Sequence, residues 1–214
     1  MKIPLTKRVL KILQSEHPVQ RTLQILRTKI FYKYWNNWLL QQMPKESICA
    51  EIGVYEGKFS MRIMKEVRPV KLHLIDPWKY ESNPLYQDAL YGGHIGSQGT
   101  MEEKYRLVQK IFANEIESDV VVLHRTSADA ALKNFEDEYF DWVYIDGNHQ
   151  YEYVKRDLEN ACRKVKRGGY ITGDDYRSGE WWGDGVIRAV HEFNTTGRCE
   201  PVQIKGCKFI FRKP

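Results

Sequence analysis

Cysteine is scarce and scattered in this chain of 214 residues: Cys49, Cys162, Cys199 and Cys207, with no C-x-x-C pair among them. That excludes a disulfide framework and a zinc site built on paired thiolates, and it predicts free thiols in a reducing compartment. Long apolar runs are missing too. No window holds the roughly 18 uninterrupted apolar residues of a membrane span. The opening stretch MKIPLTKRVLKILQSEHP lacks the apolar core and small-residue cleavage site of a signal peptide. A soluble, cytoplasmic protein is expected. What is present argues against disorder, since 42% of the residues are hydrophobic and 13% aromatic. At about 150 residues per domain, one domain with a full core is the natural reading.

Acidic residues are nearly absent from the start of the chain. Residues 1 to 45 carry nine basic side chains (Lys2, Lys7, Arg8, Lys11, Arg21, Arg27, Lys29, Lys33, Lys45) and one acid, Glu16, so the overall charge of +5 hides a basic arm. From Val19 the apolar residues Leu23, Leu26, Ile30, Tyr34 and Trp38 recur at spacings of three and four, which predicts an amphipathic helix with one face packed on the body. The arm, residues 1–46, reads either as a surface for phosphate, anionic substrate or lipid headgroups, or as a solvated helix that covers a sheet or joins a homo-oligomer. Nothing in it matches a nucleic-acid-binding module.

From residue 47 to the end the pattern changes to short β-branched runs alternating with helical segments. Strands are predicted at Ser47–Val54, Val70–Asp76, Asp119–His124, Asp141–Asp146 and Gly169–Gly173, with the clearest helix at Tyr151–Val165. Strand then helix, repeated, predicts an α/β fold: a doubly wound, Rossmann-like, mostly parallel sheet with ligands at the carboxyl ends of its strands. After a helix at Val186–Phe193, the runs Pro201–Lys205 and Lys208–Arg212 are separated only by Gly206 and Cys207, so they must form an antiparallel hairpin. Seven strands result. The Gly-, Tyr- and Ser-rich stretch Lys79–Thr100 is long enough to be a lid or binding loop.

The segment Ala50-Glu51-Ile52-Gly53-Val54-Tyr55-Glu56-Gly57-Lys58-Phe59-Ser60 is a strand running into a glycine-bearing turn that opens a helix. It fails as a Walker A loop, because three residues rather than four separate its glycines and Phe59 follows Lys58. It fails as a dinucleotide fingerprint, because Tyr55 stands where G-x-G-x-x-G needs glycine. A cofactor without pyrophosphate remains: Glu51 would repel a phosphate but suit a cationic ligand, and Asp76 at the end of the second strand can hydrogen-bond the hydroxyls of a ribose. A tight turn that merely packs helix on strand is the structural alternative.

Three carboxylates form a second constellation. Asp146 ends the fourth strand and Asp174 and Asp175 follow the fifth, on the same edge of a sheet whose strands stand about 4.8 Å apart. Such a group repels itself, so either its pKa values rise or a divalent cation neutralises it, and an all-oxygen set favours Mg²⁺, with Mn²⁺ or Ca²⁺ as alternatives. Asp is also a habitual turn residue, which leaves a metal-free reading open. His149, three residues after Asp146, is the candidate base, with a neutral imidazole able to take a proton near pH 7.

Glu51-Ile52-Gly53-Val54-Tyr55 with Gly57, and Asp76 in Leu74-Ile75-Asp76-Pro77-Trp78, resemble motifs I and II of class I S-adenosylmethionine-dependent methyltransferases. The variant is similar to that of the metal-dependent catechol and caffeoyl-CoA O-methyltransferases. Asp141 to His149 and Arg167 to Tyr176 more closely resemble the macrocin and sugar O-methyltransferase group. The resemblance spans about residues 47–213. It implies S-adenosylmethionine held by Glu51, Gly53, Tyr55, Gly57, Ser60, Asp76, Ser127 and Asp146, with a metal on Asp146, Asp174 and Asp175. Asp146 and His149 would then be the catalytic residues. The reaction expected is methyl transfer to a hydroxyl of a small molecule, a sugar or glycosylated natural product, and the alternatives are a catechol-type phenol or a non-catalytic cofactor-binding module. Ser127 is equally suited to cap a helix. Tyr80, Tyr86, Tyr91, His94, Trp181, Trp182 and Arg177 fall in loops expected to overhang the site.

Overall fold

The computed structural model describes residues 18–93, 96–179 and 181–214. In chain order the elements are α1 (Pro18–Gln42), β1 (Ile48–Ile52), α2 (Lys58–Glu66), β2 (Lys71–Ile75), α3 (Gln98–Ile111), α4 (Ala113–Glu117), β3 (Val121–His124), α5 (Ala128–Leu132), β4 (Phe140–Ile145), α6 (Tyr151–Lys164), β5 (Val165–Gly173), α7 (Gly185–Thr195), β6 (Glu200–Lys205) and β7 (Lys208–Arg212). They build one seven-stranded sheet in the order β3-β2-β1-β4-β5-β7-β6. The first five strands run parallel, while β7 is antiparallel to both β5 and β6. Strand order therefore reverses between β1 and β4, and the crevice of a doubly wound sheet opens there.

The register determines what stands at that crevice. Ile52 pairs with Ile75 on one side and Ile145 on the other, and Ile145 pairs with Gly173. The four next residues, Gly53, Asp76, Asp146 and Asp174, thus stand in a row along the carboxyl edge. Alternation along each strand divides the core in two. Ala50, Ile52, Val143, Ile145 and Ile171 face α5, α6 and α7, whereas Cys49, Leu72, Leu74, Trp142 and Tyr144 face α1, α2 and α3. Trp142, Tyr144 and Asp146 share this second face. β5 begins four residues earlier than its sequence pattern suggests, because Val165 pairs with Phe140 before a register shift resets the ladder at Trp142–Tyr170.

The N-terminal helix packs differently from its expected stripe. Leu26, Ile30 and Tyr34 are exposed, and the packed residues are Leu39 and Leu40 in its last turns, with Met43 just beyond. Two contacts set its rotation: the Trp35 indole lies over Gly206 in the β6–β7 turn, where a Cβ would come within 2.7 Å of the ring, and Tyr32 reaches the mouth of the crevice. Lys2, Lys7, Arg8 and Lys11 of the basic arm lie outside the described residues. Among the described residues no helix is long and apolar enough to cross a membrane.

Candidate active site

The turn after β1 is shaped by three residues with left-handed backbones, Gly53 (φ 89°), Tyr55 (φ 52°) and Gly57 (φ 72°). A Cβ on Gly53 would stand 2.1 Å from the Asp146 carbonyl oxygen, so only glycine lets the ends of β1 and β4 close up. The turn is stapled by Asp76, whose Oδ2 accepts the N–H groups of Val54 and Tyr55 (2.9 Å each) while Oδ1 accepts that of Trp78 at 2.6 Å. Asp76 therefore organises the loop, and Oδ1, which receives a single N–H, can still accept a further hydrogen bond. Glu51 is buried beneath the turn and accepts a hydrogen bond from Ser60 Oγ; burial pushes its pKa well above the usual carboxylate range.

A cleft of about 870 Å³ opens above this edge. Of the residues singled out for the cofactor, Glu51, Gly53, Tyr55, Asp76, Ser127 and Asp146 line it. Gly57 and Ser60 stand behind the wall. Gly57 starts α2 with its α-carbon turned toward Phe112 and Val108, and Ser60 meets the cleft only through Glu51. Ser127 Oγ accepts the Ala130 N–H at 3.3 Å, so it caps α5 as well as lining the cleft.

The acids do gather at the edge, but they are not three like charges awaiting an ion. Asp174 is ion-paired to Lys208, a fully buried lysine whose Nζ also donates to the Tyr144 hydroxyl at 2.8 Å. Burial alone would raise the Asp174 pKa, but Lys208 outweighs it and holds the carboxyl below its ordinary value. Asp175 is clamped by Arg177, with Nε and Nη2 each 2.8 Å from Oδ1. His149 lies between the remaining oxygens, Nε2 3.3 Å from Asp146 Oδ1 and Nδ1 3.4 Å from Asp175 Oδ2. Burial would lower the imidazole pKa; the two aspartates outweigh it and raise it. Burial raises Asp146 to about 6, tempered by His149.

The expected ligand set of Asp146, Asp174 and Asp175 is accordingly rearranged. The donors lying within 4.8 Å of one another come from Asp146, His149 and Asp175, while the Asp174 carboxylate is turned to Lys208. With Lys208 paired to Asp174 and Arg177 to Asp175, repulsion no longer demands a metal. Two carboxylates and an imidazole nevertheless make a donor set that suits a divalent cation.

Several residues of the site went unnoticed in the sequence. Tyr144 stands with its hydroxyl 3.2 Å from both Asp146 Oδ2 and Asp174 Oδ2. Period-two spacing from Asp146 was a usable signal for it. Lys208 and Tyr32 had none, since one depends on the register of an antiparallel hairpin and the other on how a remote helix docks. On the outer side the rings of Tyr86 and Tyr91 meet Trp181 edge-on at 5.4 and 5.9 Å and each other at a tilt at 5.6 Å, and His149 stacks on Trp181 at 5.6 Å. The Tyr91 hydroxyl is buried and finds no hydrogen-bond partner among the described residues. Asn148 Nδ2 ties the site to the long loop through the Tyr86 hydroxyl at 3.1 Å, and Tyr80 braces that loop from within by donating to the Gly93 carbonyl at 2.7 Å. His94 lies outside the described residues.

Comparison with known proteins agrees with this geometry. The model of a methyltransferase domain family matches residues 50–176, more than half of the chain. An uncharacterized protein, R132, of Acanthamoeba polyphaga mimivirus is 37% identical over 67 residues, a stretch that spans 30% of this chain and only 30% of that protein. Among solved structures, the N-methyltransferase NodS from Bradyrhizobium japonicum WM9 in complex with S-adenosyl-L-homocysteine has a TM-score of 0.55 at 14% identity, covering 97% of each chain. A precorrin-6y C5,15-methyltransferase from Geobacter metallireducens has a TM-score of 0.53 at 16% identity, covering 83% of this chain and 86% of that one. With the family match over the crevice motifs and the shared sheet topology, the chain belongs to the methyltransferase domain family and has the class I, Rossmann-like methyltransferase fold.

Proposed function

We propose that this protein transfers the methyl group of S-adenosylmethionine to a hydroxyl of a small molecule, with a sugar or glycosylated metabolite as the acceptor. The observation that carries the reading is His149, which lines the cleft between Asp146 and Asp175 and stacks on Trp181. The cofactor fits the residues present: Gly53 and Tyr55 of the turn after β1 line the cleft, and the buried Glu51 carboxyl suits a cationic neighbour. When bound, S-adenosylmethionine supplies an electrophilic methyl on a sulfonium. His149 takes the acceptor's O–H proton as the O–CH₃ bond forms, the S–CH₃ bond breaks and its electron pair stays on sulfur. Asp146 and Asp175 orient the ring and stabilise the imidazolium that results, while the hydrogen-bonded Tyr144 and Lys208 hold Asp146 and Asp174 in place. Tyr86, Tyr91 and Trp181 offer aromatic faces for the C–H side of a sugar, with the unpartnered Tyr91 hydroxyl ready for one of its oxygens.

A second reading is favoured by the three donors within 4.8 Å: Asp146, His149 and Asp175 would hold Mg²⁺ or another divalent ion. It would lower the pKa of a bound acceptor hydroxyl. Both readings use the same side chains, and chelation separates them. Labelled methyl transfer into a panel of sugars, phenols and amines should appear in hydroxyl acceptors, and His149→Ala should lower turnover by at least about a hundredfold. Turnover that survives excess chelator leaves His149 as the base. Loss restored by Mg²⁺ selects the metal reading, and label appearing only in amines overturns transfer to a hydroxyl.

A further inference from the structure

Two of the four cysteines, all of them free, meet in the fold although β5 and α7 lie between them in the chain. Cys162 sits in the last turn of α6 and Cys199 immediately before β6, with their sulfurs 3.5 Å apart. Both are buried, but only just beneath the surface: Arg163 follows the first, Arg198 and Glu200 flank the second, and all three of those side chains are exposed. Neither thiol lines the cleft. α6 starts two residues after His149 and carries Cys162 roughly 16 Å further along its axis, so chemistry at this pair leaves the reacting centre untouched.

The two thiols are not equivalent. A hydrogen bond from Cys199, aided by the charges of Lys213, Arg198 and Arg163, holds the Cys162 thiol below its ordinary value against burial, and the same bond raises Cys199. Cys162 is thus the sulfur that ionises and attacks, and Cys199 is placed to resolve what it forms. Cys49 and Cys207 provide the contrast, since burial and then nearby carboxylates push both of their thiols up. With a peroxide as oxidant the step balances. The Cys162 thiolate attacks one peroxide oxygen, the O–O bond breaks, and the second oxygen leaves as water after taking a proton, which gives a sulfenic acid. The Cys199 sulfur then forms the S–S bond and the hydroxyl of the sulfenic acid departs as a second water. Two thiols lose two electrons and two protons, and one hydrogen peroxide becomes two waters.

We infer that Cys162 and Cys199 are a redox modification site, which peroxide converts to a reversible disulfide that staples the end of α6 to the start of β6. The bond closes a loop containing β5, Asp174, Asp175 and α7, and a cross-link around so long a segment restricts the unfolded chain. The inference stands apart from the reaction proposed above. The test treats the folded full chain with hydrogen peroxide, blocks remaining thiols with iodoacetamide and maps tryptic peptides without reduction. A Cys162–Cys199 cross-linked peptide should appear while Cys49 and Cys207 are recovered alkylated. Tm, followed by circular dichroism, should rise by about 5 °C or more and return on adding dithiothreitol. Cys199→Ser should gain no such rise and should instead accumulate a sulfenic acid on Cys162, trapped by dimedone. Cys162→Ser should form neither product. Recovery of Cys162 and Cys199 as alkylated thiols from the peroxide-treated protein overturns the inference, as does a cross-link that leaves Tm unchanged.

Discussion

At the scale of single residues, Lys208 bears most on the site. Its ammonium is sealed between Asp174, the Tyr144 hydroxyl and the rings of Phe59 and Tyr144, with no solvent to share the charge. Removing one member of such a pair strands the other, which typically costs about 3–5 kcal/mol. Lys208→Met should therefore lower unfolding free energy in urea by about that amount, and adding Asp174→Asn should recover much of it. Equal stability of Lys208→Met and the native protein would show that the ion pair is not formed. The residues of the reacting centre were readable to different degrees for the same reason. Asp146, Asp174, Asp175 and His149 are close in sequence to strand ends, so their arrival at one edge could be foreseen. Which acid meets which base depends on side chains from β7 and the segment after β5, and only their packing pairs Asp174 with Lys208 and Asp175 with Arg177.

At the scale of elements, β2 and β3 carry an acid-sensitive device away from the cleft. His73 Nδ1 and His124 Nε2 are 2.9 Å apart across the two strands, and His73 Nε2 meets the Tyr139 hydroxyl at 3.2 Å. Burial, then the neighbouring His124, lowers His73 from 6.5 to about 4. The unfolded chain takes up this proton near 6.5 but the folded one does not, so its contribution to stability is complete above 6.5 and is lost as pH falls toward 4. The pH-dependent part of the unfolding free energy between those values should shrink in His73→Leu, whatever that variant's absolute stability. An identical slope would remove His73 as its source. Most strand positions were legible because β-branched alternation is local, and the hairpin because two residues leave no room for a crossover. The packed face of α1 was not legible: its apolar stripe predicts burial of Leu26 and Ile30, yet contacts with the β6–β7 turn and the cleft mouth rotate them to the outside.

For the whole molecule, the coupling of His149 to two aspartates should appear in the rate. A base must be neutral to accept a proton, and Asp175 and Asp146 raise the imidazole pKa despite burial. The pH profile of kcat/KM should therefore rise through a limb above the ordinary imidazole value of about 6.5. That limb should disappear in the residual activity of His149→Ala. A profile flat from pH 6 to 9 in the native protein would exclude His149 as the group that titrates.

The strand-and-helix alternation, the glycine turn after β1 and the acids at the strand ends were determined by the sequence alone, because each depends on residues within a few positions of one another. The tertiary structure decided how those acids are neutralised, which aromatic side chains wall the cleft, and that Tyr32 of a helix more than a hundred residues away in sequence joins Asp175 there. Charge pairing in a buried site depends on separations of a few ångströms between distant segments, and no local pattern in the chain encodes them.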